Sequence, residues 1–234
     1  MICCGISLLS AALAGCATTP LACSPLAAEL HRRPPQALDR VYVILVESPV
    51  DVSQLGGLPD VCCALRSLGV LNVIYFDPFK HGTGCALADF IQGIRENDPN
   101  SRIMLVGWSM GCASVINALK HLEHDGQSIE TVVYLDSSTL KFLPPDDHPR
   151  NYERAVMIYR KDHSAPEGYP RSEEVVVDHW FHLAIPKHPT TMNQLILETL
   201  RLVDRPHGFA QYPATTFPDC ARSCYSGEQC PCSP

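Results

Sequence analysis

From residue 40 onward the chain alternates short apolar runs with longer stretches in which apolar residues recur every three or four positions. Residues 40–46 are rich in β-branched side chains, the pattern of a strand buried on both faces. After Gly56 and Gly57, the residues Leu58, Val61, Cys62, Leu65 and Leu68 form one helical stripe, with Pro59 in the first turn and Gly69 as the stop. A second strand is predicted over 70–76 and a loop over 77–84, and Leu87, Phe90, Ile91 and Ile94 then mark a helix face. Residues 103–106 read as a third strand and 112–122 as a third helix. Further strands are predicted over 131–135, 155–159 and 174–177. The last helix carries Leu195, Ile196 and Leu200, with Thr191 and Gln194 in capping-box spacing. Strands interleaved with helices predict an α/β domain over residues 39–205, a mostly parallel central sheet of about six strands with helices on both faces. In such sheets the site lies at the carboxyl ends of the strands.

Composition supports a packed core, with 46% hydrophobic and 18% charged residues. The formal charge of -7 comes without a run of Lys or Arg, which argues against nucleic acid as a partner. Twelve cysteines lean towards an oxidising compartment. Residues 1–15 have the length and apolarity of a signal peptide, and Leu13-Ala14-Gly15-Cys16 resembles a bacterial lipobox, which implies lipidation of Cys16. Met1-Ile2-Cys3-Cys4 departs from that pattern in carrying no cation. The expectation is an exported lipoprotein anchored to a membrane, the alternative a cytoplasmic chain whose first residues pack on the core. Residues 16–38 are then a Pro-rich tether. The tail over 206–234 holds Cys220, Cys224, Cys230 and Cys232, which lack the two separated Cys-x-x-Cys knuckles of common zinc sites. Two disulfides or a disordered tail are expected there, and no metal. Cys62, Cys63, Cys85 and Cys112 are expected as small buried thiols.

The chemistry-bearing feature is Gly107-Trp108-Ser109-Met110-Gly111, a Gly-x-Ser-x-Gly placed directly between a buried strand and a helix. Glycines on both sides let the strand and helix approach without clashing Cβ atoms. The serine hydroxyl then stands above the sheet near a helix N-terminus, where developing negative charge is favoured.

On these residues the chain resembles the α/β-hydrolase family over roughly residues 40–204. It looks abbreviated, lacking the family's first two strands, and the short interval between Leu135 and Ala155 leaves no room for a large lid, so an open, capless site is expected. The resemblance implies Ser109 as nucleophile and a histidine after the last strand as base. His182 is favoured, with His179 as the alternative, while His188 lies too near the helix start. Asp162, just after the strand over 155–159, is the favoured acid, and Asp136, at the end of the preceding strand, is its rival. The oxyanion hole should combine the Met110 backbone N–H with an amide after the first strand. There the sequence departs from the family's glycine-rich turn and reads Glu47-Ser48-Pro49-Val50, so the donor falls to Ser48 or Val50 because proline has no N–H.

Two functions follow as expectations. One is a serine hydrolase cleaving a small-molecule ester or thioester through an acyl-enzyme, without a cofactor. The other is a lipid-anchored binding protein that keeps the fold with weak or no turnover.

Overall fold

In the computed structural model, residues 24–205 are described. Their six strands are β1 (Val41–Val46), β2 (Val73–Phe76), β3 (Arg102–Trp108), β4 (Ile129–Leu135), β5 (Tyr152–Arg160) and β6 (Ser172–Val177). They form one sheet in the order β2-β1-β3-β4-β5-β6 with every pairing parallel. The chain steps outward from β1 to β2, crosses back to β3, and then adds strands to the opposite edge. The reversal falls between β1 and β3, so their carboxyl ends open the crevice in which such sheets bind ligands.

The helices are α1 (Pro25–His31), α2 (Pro35–Leu38), α3 (Leu58–Ser67), α4 (Pro78–His81), α5 (Gly84–Asn97), α6 (Gly111–His124), α7 (Thr139–Phe142) and α8 (Pro189–Asp204). Alternation along the strands feeds two cores. Val43 and Leu45 of β1 pack with α1, α3 and α8, whereas Ile44 and Val46 pack with α5 and α6. None of the described helices is long and apolar enough to cross a membrane.

Four expectations change. Residues 25–38, assigned to a tether for their prolines, form α1 and α2 and bury Ala27, Leu30 and Leu38. Pro25 and Pro35 sit in the first helical turn, where the missing N–H costs nothing. α8 begins at Pro189, and the His188 ring caps it by accepting from the Thr190 N–H at 3.2 Å. Thr191 lies fully buried inside the helix, so the capping box of Thr191 and Gln194 is not used. Cys62 and Cys112 are buried as expected, but Cys85 is exposed and Cys63 is disulfide-bonded. The signal-like segment, the Cys16 lipobox and the four tail cysteines lie outside the described residues.

A buried imidazole braces the far side of the sheet. His148, 2% exposed, has Nδ1 at 2.8 Å from the Pro149 carbonyl and Nε2 at 2.9 Å from the Tyr134 hydroxyl. A carbonyl only accepts, so Nδ1 carries the proton and Nε2 accepts from tyrosine, which is a neutral ring with both nitrogens satisfied. Tyr152 and Tyr169 pack edge-on against it. Burial holds its pKa below the usual histidine value. The unfolded chain therefore binds a proton here more readily than the native one, and the contribution present above the ordinary pKa of about 6.5 is lost as pH falls below it. Urea midpoints measured at pH 7.5 and 5.5 should fall on acidification, and His148→Gln should flatten that dependence.

Candidate functional site

β3 and β4 end on the same rung, Trp108 opposite Leu135. The next residue of each, Ser109 and Asp136, takes a left-handed backbone with φ of 53° and 43°. L-residues rarely adopt that conformation, and here hydrogen bonds impose it. The Ser109 N–H donates to the Leu135 carbonyl at 3.0 Å and the Asp136 N–H to the Ile158 carbonyl at 2.7 Å. The Ser137 hydroxyl donates to the Ser109 carbonyl at 3.2 Å, and the Tyr159 hydroxyl to the Ser137 carbonyl at 2.8 Å. The two strand ends are thus stitched to each other and to β5.

The turn at Ser109 leads directly into α6, which packs across β1 and β3. A Cβ at Gly107 would lie 2.9 Å from the Cys112 Cα, and one at Gly111 would lie 2.5 Å from the Val46 carbonyl oxygen and 2.6 Å from that of Glu47. The two glycines of the motif are therefore required by close backbone approach, as their spacing suggests. Ser109 is half-buried and Met110 exposed at the head of α6. The Met110 N–H has no backbone acceptor among the described residues.

His182 opens a single helical turn (His182–Ala184) after β6. Its Nδ1 lies 2.6 Å from Asp136 Oδ2, and its ring stacks on Trp108 with centroids 5.1 Å apart and planes 24° from parallel. The carboxylate accepts, so Nδ1 carries a proton, and in the neutral ring Nε2 keeps its lone pair. The Asp136 side chain is 1% exposed and faces two further groups, Arg160 Nε at 3.4 Å and His163 Nδ1 at 3.8 Å. Arg160 also donates to the Trp180 carbonyl at 3.2 Å and to His163 Nε2 at 2.8 Å. Burial first, then the neighbouring Arg160 charge, lowers the His163 pKa. The sequence reading missed Arg160 and His163. Their only signal was position, at the carboxyl end of a strand.

The other expected residues fall as follows. Asp162 is exposed two residues beyond β5, and Asp136 takes the place beside His182 that was expected of it. The physical reason is sheet order: β4 is the neighbour of β3, whereas β5 is one strand further out. The Nδ1 of His179 accepts from the Phe181 N–H at 2.9 Å within its own turn, and His188 caps α8. Ser48 is buried, but its N–H donates at 2.8 Å to Oε1 of the adjacent Glu47 and is not open to a ligand. The hydroxyl of Tyr75 on β2 donates to Glu47 Oε2 at 3.1 Å. Burial pushes the Glu47 carboxyl up to about 7, against these two hydrogen bonds. Among the described residues, no cluster of three or more His, Cys, Asp or Glu side chains is placed to hold a metal ion.

The architecture is that of an α/β domain with an all-parallel sheet and a strand–turn–helix elbow at its carboxyl edge. No family model matches the chain. A bikaverin polyketide synthase of Gibberella fujikuroi is 29% identical over 84 residues, 34% of this chain. A dimodular nonribosomal peptide synthase of Bacillus subtilis is 31% identical over 103 residues, 33% of this chain. The chain spans 4% of the length of each of these relatives. Among solved structures, the NocB thioesterase domain from the nocardicin cluster aligns over 71% of this chain and 96% of its own, at 16% identity and a TM-score of 0.45. The thioesterase domain SrfTE, which cyclises the lipopeptide antibiotic surfactin, aligns over 71% and 94%, at 16% identity and a TM-score of 0.43.

The close approach at Gly111 yields a stability test. Gly111→Ala must separate α6 from β1 backbone that cannot swing aside, which costs about 1–3 kcal/mol in overpacking. Urea unfolding should show that loss, while Gly93→Ala, where an added Cβ meets nothing within 4 Å, should not.

Proposed function

We propose that the chain is a serine hydrolase that cleaves an ester or thioester through an acyl-enzyme on Ser109, with His182 as general base and Asp136 as the acid that orients it. The observation that carries this reading is the 2.6 Å bond from His182 Nδ1 to Asp136, which follows β4, the strand next to that of Ser109. In this reading Ser109 Oγ attacks the acyl carbonyl as His182 Nε2 takes its proton. Asp136 fixes the tautomer and stabilises the imidazolium. The tetrahedral oxyanion is met by the Met110 N–H and the N-terminal end of α6. The carbonyl re-forms as the alcohol or thiol leaves with the proton from His182. Water then attacks the acyl-enzyme by the same relay and releases the carboxylic acid.

The substrate's acyl part is apolar in this proposal. Val52, Leu55, Phe79, Phe142, Trp180 and Phe181 are all exposed, and each lies in the connection that follows the carboxyl end of a strand, Phe79 and Phe142 within the short helices α4 and α7. The β4–β5 connection holds only α7 and one short turn (Pro145–Asp147), which supports an open, capless site.

A second reading, a binding protein with little turnover, is favoured by the engaged Ser48 amide and by Pro49, which has no N–H to offer. Loss of one oxyanion donor lowers rates by about 100- to 1,000-fold. A fluorophosphonate probe separates the readings: it should label the wild type and leave Ser109→Ala unlabelled, and equal labelling would refute the nucleophile. On a short p-nitrophenyl ester, Asp136→Asn should lower kcat by up to about 10,000-fold through the wrong tautomer. Asp162→Asn should leave kcat unchanged, and the reverse ranking would restore Asp162 as the acid.

A further inference from the structure

Among the described residues, Glu47 is the one buried acid at the carboxyl edge of the sheet that the proposed mechanism does not use. It follows β1 directly, is 2% exposed, and has no cation among its hydrogen-bond partners. Its N–H is held by the Phe76 carbonyl at 2.9 Å, which fixes it to β2. Its own carbonyl borders the first turn of α6, since a Cβ on Gly111 would lie 2.6 Å from that oxygen. A trans peptide points its C=O and N–H in opposite directions. With the carbonyl of the 47–48 peptide towards Gly111, the Ser48 N–H points away from the elbow, and there it meets Glu47 Oε1 at 2.8 Å. The Ser48 hydroxyl is buried without a hydrogen bond and its carbonyl accepts from the Asp51 N–H at 2.9 Å, so the Glu47 carboxylate is the partner that holds its N–H.

We infer that Glu47 is a positioning residue of the Ser109 site: its carboxylate locks the 47–48 peptide with the amide turned away, and neutralising it frees the Ser48 N–H to turn towards an oxyanion forming on Ser109. The inference rests on the proposed nucleophilic role of Ser109. The amide donates to an ionised carboxylate more strongly than to a neutral acid, and an anion beside the elbow also repels a second one. Loss of the charge removes both obstacles.

The groups facing this carboxyl set the pH at which the lock engages. Ser48 and Asp51 come from its own loop, and Tyr75 and Asp77 come from β2 and the residue after it. The first turn of α6 brings Gly111 and no charge. Burial is the largest influence and raises the pKa, the Ser48 and Tyr75 hydrogen bonds lower it, and the Asp51 and Asp77 charges raise it, to about 7. The carboxyl is neutral below that pH and ionised above it.

The test follows second-order labelling by a fluorophosphonate and turnover of a p-nitrophenyl ester from pH 6 to 9 in wild type, Glu47→Gln, Tyr75→Phe and Ser109→Ala. Wild-type rates should decline above pH 7 by roughly tenfold per unit. Glu47→Gln cannot ionise, so its decline should vanish, leaving it at least roughly tenfold faster than wild type at pH 9, with kcat changed and KM constant, because the oxyanion exists only in the transition state. Tyr75→Phe removes a bond that lowers the acid's pKa, so the decline should move to higher pH. That variant decides the matter alone if Glu47→Gln does not fold. Superimposable profiles for wild type and either variant overturn the inference, as does a Glu47→Gln enzyme slower at every pH. Labelling of Ser109→Ala at the wild-type rate overturns the nucleophile instead, whatever the Glu47 profiles show.

Discussion

The last rung shared by β3 and β4 pairs Trp108 with Leu135, and that register decides where Ser109 and Asp136 stand. A slip of one residue would send every side chain of the strand to the opposite face, and the two cores on either side of the sheet forbid it. Each of the two residues beyond the rung holds a left-handed backbone, at a cost of order 1–3 kcal/mol apiece. The hydrogen bonds from Ser109 and Asp136 back to Leu135 and Ile158 tie that strain into the sheet. The turns at Ser109 and Asp136 are thus two copies of one device on neighbouring strands. Each turns the chain sharply at the sheet's edge and leaves a polar side chain there.

The electrostatics of the edge divide at the same place. Asp136, nearly without exposure, is surrounded by Arg160, His163 and His182, so its charge is met from three directions. Glu47 is as deeply buried but has only hydroxyl and amide donors, with Asp51 and Asp77 as its charged neighbours, and burial carries it up to about 7. Two carboxyl groups on one sheet edge therefore meet opposite environments, the pattern by which sites assign different tasks to the same functional group.

How much of this was readable in the sequence depends on the range of the interaction. The strands announce themselves by short apolar, β-branched runs, and all six were placed, although β2 begins at Val73 and not at residue 70. The glycines of the elbow were readable because they sit beside the residue they serve. Chain order favours Asp162 as the partner of His182, whereas the carboxylate that meets it, Asp136, is placed by strand adjacency, which sequence spacing does not encode. The Ser48 amide was misread for the opposite reason: its acceptor is the preceding side chain, and only the turn of the backbone brings the two together. Prolines at 25 and 35 looked like tether residues because proline marks both loops and first helical turns, and what separates the two is whether Ala27, Leu30 and Leu38 find a core.

Trp108 links the parts of the edge that hydrogen bonds leave separate. Its ring stacks on His182 on one side, and the β1–α3 loop reaches it as well, since a Cβ on Gly56 would lie 2.3 Å from the ring. That loop is itself held by Asp51, which accepts from the Leu55 and Gly56 N–H groups at 2.9 Å and 2.7 Å. The imidazole is therefore positioned by two unlike contacts, a carboxylate at Nδ1 and an apolar face along its ring. The bond sets the tautomer and one axis, and the stacked ring removes the remaining freedom to tilt. The loop that begins with Glu47 and Ser48 ends at Gly56 against the same indole. A residue chosen only to fill the core behind the elbow would not do this, because a branched aliphatic side chain presents no flat face to an imidazole.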